Sequence, residues 1–382
     1  MMALAERLGR FVSQAAEGAP VRLALQAFGE FARPALQPLV LAAAKGLLEP
    51  VLSGGVTHVI LFDAATGAAV RDLTPGTCDS PTFSLGGERG YDFSPDSREL
   101  CFTSNRDAEQ AESTNADLWA VSIEGGEPRN LTAENGGWDG APLYSPDGTR
   151  LAFISQEQPG YESDLRRLSI LDLESGEVRR VTHRLGFDDM VLDMAWTPDG
   201  RALVFQAERK GRNPIFRVDL ETGAIAELLE HGSIDGWELA PAADLLVYAA
   251  RSVALPAELY RAAAGGGEPS RRTAHAQAFQ DEVDCRPAEE LWVESGEGYA
   301  VHVFVVKPHG FDPARRYPLI LNVHGGPQSQ WMDTFRGDWQ VYPGKGYVVA
   351  FANPTGSTGS GPEVTDGLAR DLGGGVQPDP MG

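Results

Sequence analysis

The residues of this chain best suited to chemistry lie in one short run, His324-Gly325-Gly326-Pro327, directly after the apolar stretch Leu319-Ile320-Leu321-Asn322-Val323. Glycines let a backbone come close to a reacting group and aim N–H groups at a developing negative oxygen. Gly325 and Gly326 are therefore candidates for an oxyanion hole. His324 either contributes to that region or orients the loop, and the second role is favoured. A Gly-Gly-Pro after a strand is also an ordinary turn, so the run does not establish catalysis by itself. An oxyanion hole needs a nucleophile, and no G-x-S-x-G occurs in the chain. Gly356-Ser357-Thr358-Gly359 and Gly359-Ser360-Gly361 have the wrong spacing for the strained elbow that exposes a nucleophilic serine, which places Ser357 and Ser360 in a polar loop near the substrate. His302 and His309 precede the glycine run, and His302 is expected on a strand surface.

The elements around this run set its context. Glu290 to Val293 and Ala300 to Pro308 read as paired strands joined by a glycine turn. Tyr317 to Val323 is a continuous apolar run suited to a strand buried on both faces. Tyr347 to Ala352 is a further strand, leading to Asn353-Pro354-Thr355-Gly356-Ser357-Thr358-Gly359, with a helix expected from about Glu363. Strand, glycine loop, helix, strand, helix is the opening of an α/β-hydrolase sheet. Residues 285–382 are assigned to the N-terminal portion of such a domain.

Upstream, turn chemistry repeats. Ser94-Pro95-Asp96-Ser97, Ser145-Pro146-Asp147-Gly148 and Thr197-Pro198-Asp199-Gly200, with a worn copy at Pro241-Ala242-Ala243-Asp244, each lead into a short apolar strand. Proline presets φ at the second turn position, and Asp and Gly accept the geometry that follows. Between them stand five glycine-centred hairpins, several closing on Leu73-Thr74, Leu131-Thr132 or Val181-Thr182. The turn prolines at 95, 146, 198 and 241 recur at the period of a four-stranded propeller blade. The expectation is an incomplete β-propeller over 56–280, with four whole blades and a trailing half at 56–75. An ordinary β-sandwich is the weaker alternative. Residues 1–50 are Ala- and Leu-rich and are expected to form a helical or disordered leader.

Composition excludes several classes. With 54 Asp and Glu against 32 Lys and Arg, the net charge of −22 repels phosphate backbones and anionic membranes, so neither nucleic acid nor membrane is an expected partner. Cys78, Cys101 and Cys285 are odd in number and far apart, which supports neither a disulfide framework nor a metal site, and no cofactor is expected. The N-terminus lacks an apolar signal core and no stretch is long enough to span a bilayer, so a soluble cytoplasmic protein is expected.

The run His324 to Trp331, then Gly346-Tyr347-Val348-Val349, then Asn353 to Gly359 resembles the prolyl-oligopeptidase family in its acylaminoacyl-peptidase and dipeptidyl-peptidase branch. Phe83-Ser84-Leu85-Gly86-Gly87, Phe102 to Asp107 and Val306 to Asp312 carry the likeness further. The resemblance implies a serine peptidase in which a propeller restricts a hydrolase site to short peptides, with Ser attacking, His shuttling the proton and Asp orienting His. In that fold the triad follows the elbow strand in the order Ser, Asp, His. No residue of this chain is assigned to those roles, so the chain is expected to be a truncated member, active in its full-length form and inactive alone. The degraded pattern after Asp371 and the missing blades point to a gene fragment or a damaged reading frame. The alternatives are a non-catalytic propeller that binds peptides or proteins, and an esterase on the same hydrolase fold, which the propeller argues against.

Overall fold

Each Ser-Pro-Asp turn closes its hairpin with the same set of hydrogen bonds. In the second copy the Ser145 hydroxyl donates to Asp147 Oδ1 at 2.6 Å, Gly148 N–H donates to Ser145 O at 2.9 Å, and Arg150 N–H donates to Ser145 Oγ at 3.0 Å. Gly148 and Gly200 take positive φ at 72° and 65°, where a side chain is strained. Thr197 repeats the arrangement with Asp199 and Ala202. The structure, a computed structural model, describes residues 41–43, 46–53, 56–62, 69–82, 90–184, 186–240, 244–294, 298, 300–326 and 328–367. Most of the worn fourth turn, the Phe83 to Gly87 motif, Pro327 and the segment after Gly367 lie outside these residues.

The chain divides into two compact units, Met1–Gly160 with Ile170–Val178, and Tyr161–Ser169 with Arg179–Gly382. The first contains β1 (Leu41–Ala43), β2 (Gly46–Ser53), β3 (Val56–Phe62) and β4 (Ala69–Asp72), hydrogen-bonded in chain order, then β5 (Tyr91–Phe93), β6 (Glu99–Ser104), β7 (Asp117–Ser122) and β8 (Arg129–Asn130), also in chain order. The division falls within the third four-stranded sheet, β9 (Asp139–Tyr144), β10 (Arg150–Ser155), β11 (Arg167–Asp172) and β12 (Val178–Arg180). The expected half blade at 56–75 is thus a complete four-stranded sheet. Its first two strands lie partly in the segment assigned to the leader, and residues 1–40 lie outside the described part.

The second unit holds β13 (Val191–Trp196), β14 (Ala202–Ala207), β15 (Ile215–Asp219) and β16 (Ile225–Leu229), then β17 (Ser233–Ala240), β18 (Leu245–Ser252), β19 (Leu255–Ala263) and β20 (Ser270–Arg271), both antiparallel in chain order. The Leu-Thr and Val-Thr pairs have a structural function. Thr74, Thr132 and Thr182 each accept, through Oγ1, the backbone N–H of the preceding strand at Val59, Leu118 and Leu168. Thr273 does the same for Leu259, without an apolar neighbour that would mark it in the sequence.

The last sheet differs. β21 (Glu289–Glu294), β22 (Ala300–Val306), β23 (Leu319–Val323) and β24 (Val348–Asn353) pair in the order β21-β22-β24-β23, with β23 and β24 parallel. A parallel pair needs a crossover, and the helix Asp338–Gly344 between β23 and β24 supplies it. Its Trp339 is fully buried and stacks on Phe351 at 3.7 Å, within a cluster that includes Val253, Phe304, Val306 and Val349. β23 is not buried on both faces as the apolar run implied: Leu319, Leu321 and Val323 are exposed along the sheet edge.

Candidate active site

The glycine run leaves the C-terminal end of β23, and the loop after β24 folds beside it. Gly325 and Gly326 are exposed. Gly326 sits at φ 146°, and a Cβ there would lie 2.7 Å from Gln328 N, so the loop requires glycine at this position. His324 is half-buried and bridges the two loops. Its Nδ1 lies 3.1 Å from Gly325 O and its Nε2 lies 2.9 Å from Ser357 Oγ. A carbonyl only accepts, so Nδ1 carries the proton and Nε2 accepts from the Ser357 hydroxyl. Trp331 N–H donates to Asn353 Oδ1 at 2.6 Å, Asn353 Nδ2 returns a bond to Trp331 O at 3.0 Å, and Thr358 N–H donates to Ser329 O at 3.0 Å.

A serine hydroxyl 2.9 Å from an imidazole has the spacing of a nucleophile and its base. Ser357 is 1% exposed, however, so a substrate carbonyl has no approach to Oγ. His302 differs from the sequence reading: it is fully buried and not on a strand surface. It stacks on Trp292 at 4.6 Å, and its Nε2 meets Glu290 Oε2 at 3.0 Å. Burial pulls its pKa down, against the opposing pull of Glu290.

Sequence reasoning missed Glu208, at the end of β14. Its Oε2 is enclosed and has no hydrogen-bond partner among the described residues. Burial raises its pKa, with Thr358 and Arg166 pulling the other way. Thr358 Oγ1 stands beside it but outside hydrogen-bonding geometry, and Gln330 Nε2 is likewise buried without a partner. Thr358 also lines a small recess with Ser163, Leu165, Asp188, Met190 and Thr365. Nothing local marks Glu208 in the sequence, because Thr358 lies far along the chain. Among the described residues no group of three or more His, Cys, Asp or Glu could hold a metal ion, and no helix is long and apolar enough to cross a membrane.

Residues 92–259 match the TolB β-propeller domain model. The dipeptidyl-peptidase 5 of Porphyromonas gingivalis is 30% identical over 327 residues, which cover 84% of this chain and 47% of that protein. The chain belongs to the prolyl-oligopeptidase family. It spans less than half the length of the curated relatives it matches. The fold agrees with solved members. An acylaminoacyl peptidase of Pyrococcus horikoshii superposes with a TM-score of 0.55 at 17% identity, covering 84% of this chain and 57% of that one. A prolyl endopeptidase superposes with a TM-score of 0.60 at 16% identity, covering 85% and 47%. The residues that match the propeller domain, 92–259, take in the antiparallel strands from β6 to β18.

Proposed function

We propose that this chain carries the oxyanion loop and an amine-recognising subsite of a serine-type peptidase that acts on short peptides with a free N-terminus. The β21-β22-β24-β23 sheet is read as the first part of an α/β-hydrolase domain over residues 285–382, and the four-stranded sheets from β1 to β20 as blades of the propeller. Exposed Gly325 and Gly326 supply the oxyanion donors, and His324 positions them through Ser357 and Gly325. Hydrolysis needs a nucleophile, and none of the 382 residues stands in a G-x-S-x-G.

The observation that carries the reading is Glu208, a partly exposed side chain whose Oε2 has no hydrogen-bond partner among the described residues, beside Thr358, the residue after the Ser357 that holds His324. A buried carboxylate without a partner is costly, and a peptide ammonium would offset that cost with a charge-assisted bond. An acylated N-terminus has no such cation. Glu208 therefore favours dipeptidyl over acylaminoacyl substrates. The same feature supports a second reading for the 382-residue chain, peptide binding without hydrolysis.

Fluorescence anisotropy with a labelled tetrapeptide, N-terminally free or acetylated, tests this. A charged hydrogen bond is worth about 1.5–3 kcal/mol, so the free peptide should bind roughly tenfold to a hundredfold more tightly, and Glu208→Gln should erase the difference. Equal binding of the two peptides would refute the subsite. A fluorophosphonate probe should label no serine of this chain, and labelling of Ser357 or Ser360 would overturn the assignment of a non-nucleophilic loop.

A further inference from the structure

We propose that the Lys210-Gly211 hairpin turn between β14 and β15 is a clamp that positions the oxyanion loop, making Gly211 a positioning residue for that site. Within the second unit this turn closes on itself through paired bonds, Arg209 N–H to Arg212 O and Arg212 N–H to Arg209 O, both 2.9 Å. Lys210 and Gly211 take φ of 49° and 69°, the geometry of a type I′ turn. Lysine is uncommon at positive φ, a conformation that persists where surrounding structure enforces it.

What enforces it is the pair of loops after β23 and β24. Lys210 N–H donates to Gly359 O at 2.7 Å, Gly211 N–H donates to Gln330 Oε1 at 2.9 Å, and Gly211 O accepts Asp333 N–H at 2.8 Å. A hairpin that only joined β14 to β15 would point these groups at water. The fit excludes a side chain: a Cβ on Gly211 would lie 2.6 Å from the Phe304 ring and 3.0 Å from Trp331 O. A Cβ on Gly359 would lie 2.3 Å from Gln330 Oε1 and 3.2 Å from Lys210 N. Arg212 adds charge at the turn's edge. Its guanidinium bonds Glu290 and lies 3.6 Å from both Asp333 and Glu230.

Gln330 follows Gly326 by four residues, and Gly359 follows Ser357 by two. The turn thus grips each of the two loops whose mutual contact, His324 to Ser357 and Thr358 to Ser329, sets the position of Gly325 and Gly326. A displacement of the turn must be transmitted to both.

Hydrogen exchange on the 382-residue chain tests the clamp. Gly211→Ala should speed exchange of the amides at 328–333 and 355–359 at least tenfold while the strands β13–β16 keep their protection. Coupling is reciprocal. Gln330→Leu, which leaves the propeller sequence intact, should therefore speed exchange at Lys210 and Gly211 by a similar factor, and this variant carries the test alone if Gly211→Ala fails to fold. Nitrogen-labelled histidine spectra supply a second readout, since either variant should shift His324 from a fixed Nδ1–H tautomer to a mixture. Unchanged loop exchange, or faster exchange spread evenly over the chain, overturns the proposal. The interpretation of the loop as an oxyanion loop rests on the proposed function, but exchange reads the clamp alone. Failure of the peptide-binding assay and failure here are therefore distinguishable.

Discussion

Asp139→Asn should remove a pH dependence from the stability of the first unit. Asp139 is 1% exposed, Ser155 Oγ–H and Asn135 Nδ2–H donate to its Oδ1 at 2.6 and 2.9 Å, and its Oδ2 has no partner among the described residues. Burial raises its pKa from 3.8 to about 6, and neighbouring Asp117 adds to the rise. An acid whose folded pKa is raised binds more protons folded than unfolded between those two values. Its contribution is fully present below about pH 4 and is lost as pH rises through about 6. A shift of about two units at 1.36 kcal/mol each sets a ceiling of about 3 kcal/mol. Asparagine keeps the Oδ1 acceptor and removes the charge. Asp147, held at about 2 by Ser145 and Thr149, changes stability in the opposite sense at lower pH, so the quantity to read is the difference between wild type and variant. Thermal unfolding followed by tryptophan fluorescence from pH 4 to 8 should show the variant gaining on wild type as pH rises and levelling off above pH 7. Parallel curves across that range would refute the assignment of a buried, titrating Asp139.

Thr182→Val keeps shape but leaves the Leu168 N–H without its acceptor, now 3.0 Å away, in a fully buried position; a loss of about 1–3 kcal/mol is expected in chemical denaturation, and a neutral result would mean that the threonine is not needed to satisfy that amide. Burial holds His302 below its ordinary pKa of 6.5, so the unfolded chain gains a proton first on acidification and stability falls below about pH 6.5. Glu290 and Arg212 face it through the same cluster, together with Lys210, and only Glu290 opposes the shift. His302→Phe should flatten the decline between pH 6.5 and 5, and an unchanged slope there would contradict a neutral buried imidazole.

The parts of this molecule legible in the sequence are those whose chemistry is local. A Ser-Pro-Asp-Gly turn makes all its bonds within six residues, from Ser145 to Arg150, and the strands it joins follow from it. The sheet at 41–72 was obscured because β1 and β2 are built from an Ala- and Leu-rich segment without two-residue alternation. His302 was misplaced for a related reason. It was expected on a strand surface, yet it shares its face with Phe304 and Val306 of the core. Glu208 and Gly211 gave no signal at all, because Thr358, which stands beside Glu208, and Gln330, which Gly211 bonds, lie more than a hundred residues further along the chain. A Gly in an Arg-Lys-Gly-Arg turn looks like any hairpin until Phe304 and Trp331 are found against it.

Exposure decides what the two loops can do. Ser357 and His324 stand at the distance of a catalytic pair, but Ser357 is enclosed and its proton is directed to an imidazole whose other nitrogen is held by Gly325 O. What separates this pair from a working nucleophile and base is access, since a substrate carbonyl cannot reach an enclosed Oγ. Gly325 and Gly326 have the opposite property, being open to solvent, and the Gln328 backbone leaves room only for glycine at position 326. On the proposed reading the two loops bind developing negative charge and do not create it, and the Lys210-Gly211 turn is where the hairpin between β14 and β15 contributes to that binding.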